Sequence, residues 1–146
     1  MTLPELGITA IKAKVDTGAR TSSLHAFAIR RLVRRGQKLV RFQVHPLQGN
    51  PTRTVLAEVP MVDERWVRSS SGVKELRPVI ATRIEIMGET WVCELTLARR
   101  DEMGFRMLLG RQATHGRFLV DPGRSFVAGR RGIHPRTIQV RRKKLA

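Results

Sequence analysis

The sequence Ala-Lys-Val-Asp-Thr-Gly-Ala occupies residues 13–19. It continues a β-branched segment that begins at Ile8, and Asp16 follows that segment directly. Gly18 permits a sharp turn and a close backbone approach, and Thr17 can hydrogen-bond locally or across an interface. The pattern therefore predicts a carboxylate held rigidly at the end of a strand. An ordinary Asx turn leaving a strand is the alternative, because matches to three residues also arise by chance.

Two downstream segments give this loop a context. Residues 107–111 read Met-Leu-Leu-Gly-Arg, an apolar strand that ends in glycine. Between the two, Trp66 to Arg77 is typical of a hairpin with a small, polar tip. The tip residues are Ser69, Ser70, Ser71 and Gly72. A strand with Asp-Thr-Gly, then a glycine-tipped hairpin, then an apolar strand ending in Gly-Arg is the order found in retroviral-type aspartic peptidases.

Most of the remaining chain has strand character. Glycine and proline recur at short intervals, which favours an all-β barrel or sandwich. Apolar and polar residues alternate over 39–45, residues 54–62 continue as a strand, and residues 79–97 indicate a hairpin that turns at Gly88. We expect at most two short helices, one within Ser22–Arg35 and one over Arg111–His115. The first rests on the helical spacing of Leu24, Phe27, Ala28 and Leu32.

Charge is the unusual feature of the composition. Lys and Arg number 28 against 12 Asp and Glu, which gives a net charge of +16. Such a field attracts polyanions, whether RNA, anionic membrane or acidic peptide, although excess charge can also serve solubility alone. Residues 127–146 hold seven Arg or Lys and no acid, so we expect a peptidase-sized unit over 1–126 followed by a mobile basic tail.

Cellular context follows from what the sequence lacks. No apolar run has the length of a membrane span, and the first residues lack the layout of a signal peptide. The single cysteine, Cys93, excludes an internal disulfide. We therefore expect a soluble cytoplasmic protein that does not enter a membrane.

A longer match makes the resemblance more specific. Residues 13–26 read Ala-Lys-Val-Asp-Thr-Gly-Ala-Arg-Thr-Ser-Ser-Leu-His-Ala, and this string resembles the signature of the retropepsin-like peptidase family associated with RimK-type glutamate ligases. Many members carry the label ATP-dependent zinc protease. The resemblance spans residues 3–126, and its other motifs lie at residues 3–7, 67–72, 75–80, 106–111 and 118–122.

The resemblance implies a retropepsin-like closed acid-protease barrel that is active as a homodimer. The chain has four Asp, and of these only Asp16 is followed by Thr-Gly or Ser-Gly. An aspartic peptidase needs two carboxylates that share a proton, so the second Asp16 must come from another copy. The implied catalytic residues are Asp16, Thr17 and Gly18. The implied substrate-binding residues are Ala19, Arg20, Ser69, Ser70, Ser71, Gly72 and Arg77.

Two of these residues have alternative interpretations. Arg20 can reach an acidic side chain of the substrate, or it can anchor its loop to Glu75. The hairpin from Trp66 to Arg77 corresponds to the flap of such peptidases and is called the flap hairpin below. Arg77 can face the substrate from its outgoing arm, or it can be a solvent-facing strand residue.

We expect neither a metal nor another cofactor, despite the family label. The four histidines, including His25, show no HExxH or paired spacing. No glycine-rich segment has the GxxxxGK[ST] pattern of a nucleotide-binding loop.

The leading functional prediction is an aspartic endopeptidase acting on acidic, oligo-glutamate peptide extensions such as those on a ribosomal protein. A basic groove would attract such a chain. The alternative is a non-catalytic basic β-barrel module that binds RNA or the ribosome, with the basic tail as a contact. Low aromatic content, 5% with no Tyr, argues against stacking on single-stranded RNA.

Overall fold

The computed structural model describes residues 1–46, 53–69, 71–100 and 104–129. Ser70 and residues 130–146, which hold most of the predicted tail, lie outside this part of the chain. A 3-10 helix covers Pro4–Leu6. The strands are β1 (Ala13–Val15), β2 (Ser22–His25), β3 (Phe27–Arg34), β4 (Gln37–Val44), β5 (Val55–Pro60), β6 (Asp63–Arg68), β7 (Lys74–Ile86), β8 (Glu89–Ala98) and β9 (Met107–Leu109). A single-turn helix, α1, covers Arg111–Thr114.

The described strands form two sheets. One has six strands in the order β1-β9-β2-β8-β7-β6, and the other has three in the order β3-β4-β5. The all-β prediction is thus confirmed, although these strands form two open sheets rather than one closed barrel. Strand β9 lies between β1, to which it is parallel, and β2, to which it is antiparallel. This placement brings residues near 109 beside the end of β1, directly before Asp16.

Hairpins were the most predictable elements. Strands β7 and β8 pair from Val79–Thr96 to Ile86–Glu89, and the turn at Met87 and Gly88 confirms the expected hairpin. Both turn residues have positive φ, 54° and 78°. Two successive positive φ angles match the twist of antiparallel strands, and glycine adopts them without strain. Helix α1 also lies where the sequence placed it.

The prediction of a helix within Ser22–Arg35 is wrong. This segment forms β2 and β3 instead. Strand β2 is inserted between β8 and β9, and all four of its residues are buried. Its backbone groups pair with neighbouring strands on both sides, and its side chains are buried on both faces of the sheet. The helical spacing of Leu24, Phe27 and Leu32 was a coincidence of composition that tertiary pairing overrode.

The core lies between the two sheets and behind the Asp16 loop. Its largest fully buried side chains are Phe42, Leu3, Ile8, Leu24, Ile80, Ile84, Leu95, Leu97 and Met107. Within the residues that the structure describes, no helix has the length and apolar character needed to cross a membrane.

Candidate active site

Asp16 lies immediately after β1, in a loop that fixes its carboxylate. The Asp16 backbone N–H donates to the carbonyl oxygen of Leu109 on β9, with an N···O distance of 2.9 Å. Oδ1 of Asp16 accepts hydrogen bonds from the backbone N–H groups of Gly18 (3.0 Å) and Ala19 (3.2 Å). One carboxylate oxygen is thus held by the loop, and the side chain is partly exposed and lines the cavity described below.

The segment after β9 supports this loop from behind. Nη1 of Arg111 donates to the carbonyl oxygens of Thr17 (3.0 Å) and Gly18 (2.9 Å). The Arg111 N–H donates to the carbonyl oxygen of Ala19 at 2.8 Å, so side chain and backbone hold the same loop. Residues 107–111 were recognised from the sequence as an apolar strand ending in Gly-Arg, but Arg111 was given no role. Its position directly after the glycine that ends β9 was the available signal.

The expected flap hairpin is present. Strands β6 and β7 are antiparallel and pair from Asp63–Val79 to Arg68–Lys74. At the tip, Ser69 N–H donates to the carbonyl oxygen of Val73, and Gly72 N–H donates to that of Ser69, both at 2.9 Å. Ser69 faces the cavity described next, whereas Ser71 and Gly72 are exposed at the tip.

A cavity of about 400 Å³ lies between the Asp16 loop and the flap hairpin. Its lining residues are Asp16, Ala19, Arg20, Thr21, Ser23, Val67, Arg68, Ser69, Arg77, Thr96, Arg100 and Leu108. Five of the predicted site residues are therefore brought together here: Asp16, Ala19, Arg20, Ser69 and Arg77. Thr17 and Gly18 lie in the same loop, but they are exposed and do not line the cavity.

Arginine dominates the charge of this cavity. Arg20, Arg68, Arg77 and Arg100 line it, and Asp16 is the one acid among its lining residues. Arg77 is only 4% exposed, so its interpretation as a solvent-facing strand residue is wrong. Its Nε donates to Glu75 at 2.9 Å. The alternative in which Arg20 anchors its loop to Glu75 is also wrong, because among the described residues Glu75 forms its ion pair with Arg77 and none with Arg20.

Arg100 was missed by sequence reasoning. It follows β8, in a segment where no motif marks it, and only the fold brings it to Asp16. Burial is the main cause that lowers the pKa of the Arg100 guanidinium, and the positive charge of Arg77 lowers it further. The charges of Asp16 and Glu75 oppose that shift in pKa. Arg100 therefore interacts electrostatically with Arg77, Asp16 and Glu75 around the cavity.

Among the residues that the structure describes, metal-binding side chains do not gather at this site. Among the described residues, no three His, Cys, Asp or Glu side chains come close enough to hold a metal ion. His25 is buried, and its Nδ1 accepts a hydrogen bond from the backbone N–H of Arg100 at 2.8 Å. His45 contacts the ring of Phe27 instead, with centroids 4.3 Å apart.

Comparison with known proteins agrees with this geometry. A family described as "Retropepsin-like aspartic endopeptidase RimB" matches residues 1–131. A probable alpha-L-glutamate ligase of Shewanella pealeana is 50% identical over 129 residues, which are 88% of this chain and 28% of the relative. A protein of the same name from Parasynechococcus marenigrum is 50% identical over 127 residues, 87% of this chain and 27% of the relative. The chain thus spans about a quarter of the length of these relatives.

A solved structure shows the same fold. A protein of unknown function (DUF785) from Legionella pneumophila superposes with a TM-score of 0.69 at 29% identity, covering 87% of this chain and 91% of that one. The family match covers most of the chain, including the Asp16 loop, the flap hairpin and the Gly110-Arg111 support. The chain therefore belongs to the RimB-like family of retropepsin-like aspartic endopeptidases.

Proposed function

We propose that this chain is one subunit of a homodimeric aspartic endopeptidase whose active site combines Asp16 from two copies. The observation that carries the proposal is the Asp16 carboxylate, fixed by Gly18 and Ala19 in a cavity beneath a flap hairpin. Peptide hydrolysis by this chemistry requires a second carboxylate, and Asp16 is the one acid among the described residues that line the cavity. A copy related by a two-fold axis supplies it.

The two carboxylates would share one proton, because like charges at short distance cannot both ionise. The ionised member activates a water molecule, which attacks the carbonyl carbon of the scissile bond. The protonated member donates its proton to the leaving amine. Exposed Thr17 would bond across the axis, and the Ser69–Gly72 tip would close over the peptide and exclude water.

We propose acidic, oligo-glutamate peptide as the substrate. The support is the arginine lining of the cavity, since a cationic site offsets the cost of desolvating substrate carboxylates. The named relatives add to it. They carry the name of an alpha-L-glutamate ligase, whose product would bear glutamate, and the region similar to this chain makes up about a quarter of each.

The test is cleavage of a peptide bearing a glutamate tail by the wild-type protein, Asp16→Asn and Asp121→Asn, at low salt with a chelator present. Asp121→Asn is the matched control, because Oδ1 of Asp121 accepts from the Gly123 N–H at 2.9 Å in a similar turn that lies outside the cavity. Wild type and Asp121→Asn should cut, and Asp16→Asn should not. Equal cleavage by Asp16→Asn would refute the mechanism. Failure of every protein to cut would favour the non-catalytic basic module.

A further inference from the structure

We propose that Arg100, acting with Arg77, binds a side-chain carboxylate of the peptide next to Asp16, and that His25 positions Arg100 for this role. The inference rests on the proposed function and names the residues that would distinguish glutamate from an uncharged side chain. It also gives a role to the buried His25, which neither the catalytic chemistry nor a metal site uses.

Buried strand β2 fixes Arg100 at two points. Strand β2 runs parallel to β8, with His25 opposite Ala98, so it also lies beside the residues that follow β8. The backbone N–H of Arg100 donates to Nδ1 of His25 at 2.8 Å, and Nη1 approaches Oγ of Ser23 at 3.4 Å. His25 and Ser23 are 4% and 6% exposed. The first contact holds the Arg100 backbone and the second holds its guanidinium, so the side chain loses less conformational freedom when it binds a ligand.

Arg77 presents a second guanidinium to the same cavity. Its Nε is occupied by Glu75. Its terminal NH groups make no hydrogen bond to another described residue, although the side chain is almost fully buried. Arginine stays charged in proteins and matches the two oxygens of a carboxylate with its planar fork. Arg77 therefore retains unused donors at a residue that lines the cavity.

The two arginines repel each other. The positive charge of Arg77 contributes to the lowered pKa of Arg100, which places the two cations within electrostatic range in a partly buried site. Like charges brought together in this way are costly, and an anion between them removes that cost. The ligand that this pair favours is therefore a carboxylate that the peptide brings in.

The other two arginines of the cavity, Arg20 and Arg68, are more exposed than Arg77 and Arg100. Both are exposed, and neither forms an ion pair with a described residue. Long exposed side chains gain little from a single ion pair and are screened by salt. They would speed the encounter with any acidic peptide, whereas the fixed inner pair would select glutamate over glutamine.

The experiment measures binding rather than cleavage, so it is carried out in the Asp16→Asn protein. Dissociation constants are compared for a hexaglutamate and a hexaglutamine peptide at fixed ionic strength. Adding Arg100→Gln should weaken hexaglutamate binding on the order of 10- to 100-fold and change hexaglutamine binding little, because a hydrogen-bonded charge is lost. Arg99→Gln is the matched control. It removes the same charge from an exposed neighbour outside the cavity lining and should change either constant less than about threefold.

Two further variants test positioning by His25. His25→Ala removes the acceptor for the Arg100 N–H and should weaken hexaglutamate binding, and His25→Asn should restore part of it, since its amide oxygen can replace Nδ1. With Arg100→Gln already present, His25→Ala should have no further effect on hexaglutamate binding.

Arg100→Lys, which keeps the charge, should retain part of the preference for glutamate and covers the case in which Arg100→Gln fails to fold.

Several results would overturn the inference. They are equal losses for both peptides on Arg100→Gln, an equal effect of Arg99→Gln, or no preference for hexaglutamate before Arg100 is changed. Because no cleavage is needed, an inactive wild-type protein would refute the proposed peptidase while an Arg100-dependent preference for hexaglutamate would still stand.

Discussion

Gly110 lies directly against the backbone of Thr21: a Cβ atom at Gly110 would sit 2.7 Å from the carbonyl carbon of Thr21. The same position would be 2.8 Å from the Thr21 carbonyl oxygen and 2.9 Å from that of Arg20. These neighbours are backbone atoms, which cannot swing away as a side chain can. Gly110 thus lets the chain after β9 close against the segment that follows Asp-Thr-Gly.

Gly110→Ala should therefore push these two segments apart. We expect the free energy of unfolding to fall by about 1–3 kcal/mol, as for other overpacked sites. We also expect the rate of peptide cleavage to fall by more than the loss of folded protein accounts for. Denaturant titration and peptide cleavage would measure the two effects. Gly123→Ala is the control, because its Cβ would meet only the Asp121 carboxylate end at 3.3 Å. A Gly110→Ala protein as stable and active as Gly123→Ala would show that the close approach is dispensable.

Arg111→Lys tests the hydrogen bonds that hold the Asp16 loop. Lysine keeps the charge but cannot reproduce the planar guanidinium that reaches the carbonyl oxygens of Thr17 and Gly18. We expect a loss of about 1 kcal/mol in stability and a more than tenfold fall in kcat, with KM changed less, because the loop carries the reacting carboxylate. Arg124→Lys, at an exposed ion pair with Asp121, should leave kcat near that of wild type. A fall confined to KM would contradict the assigned role.

Local sequence predicted the elements whose geometry depends on adjacent residues. The Asp16 loop, the flap hairpin, the turn at Gly88 and helix α1 were all expected, because glycine and alternation act within a few residues. Strand β2 was missed because its conformation depends on insertion between β8 and β9, which no local pattern contains. Arg100 was missed for the same reason, since the parallel register of β2 and β8 brings it to His25.

Cys93 gives the stability of this protein a dependence on alkaline pH. Burial raises the pKa of its thiol above the usual value of 9.0, and a hydrogen bond to Ser22 opposes that shift only in part. The raised pKa means that the folded state favours the protonated thiol. The resulting stability is fully present below pH 9.0 and is lost as the pH rises through the folded pKa. Cys93→Ala should remove this part of the decline, as measured by unfolding free energies on both sides of pH 9.0.

The same burial predicts slow reaction of Cys93 with an alkylating reagent at neutral pH, because the thiolate is the nucleophile. Labelling should reach the rate of an exposed thiol only in denaturant. Fast labelling of the folded protein at neutral pH would contradict the raised pKa.

A shared site predicts that subunits interfere with one another when wild type and Asp16→Asn are mixed. Each mixed dimer would contain a single Asp16, and one carboxylate cannot act as base and acid together. If subunits exchange freely at equal amounts, random pairing leaves about half of the original wild-type activity, and an excess of Asp16→Asn lowers it further. Dilution of wild type alone should also reduce activity per subunit. Asp121→Asn as the mixing partner should cause no loss, since its dimers keep both Asp16 residues. If activity stayed proportional to wild-type concentration in both experiments, each chain would be working alone. An aspartic peptidase could not work in that way here, because Asp16 is the one acid among the lining residues.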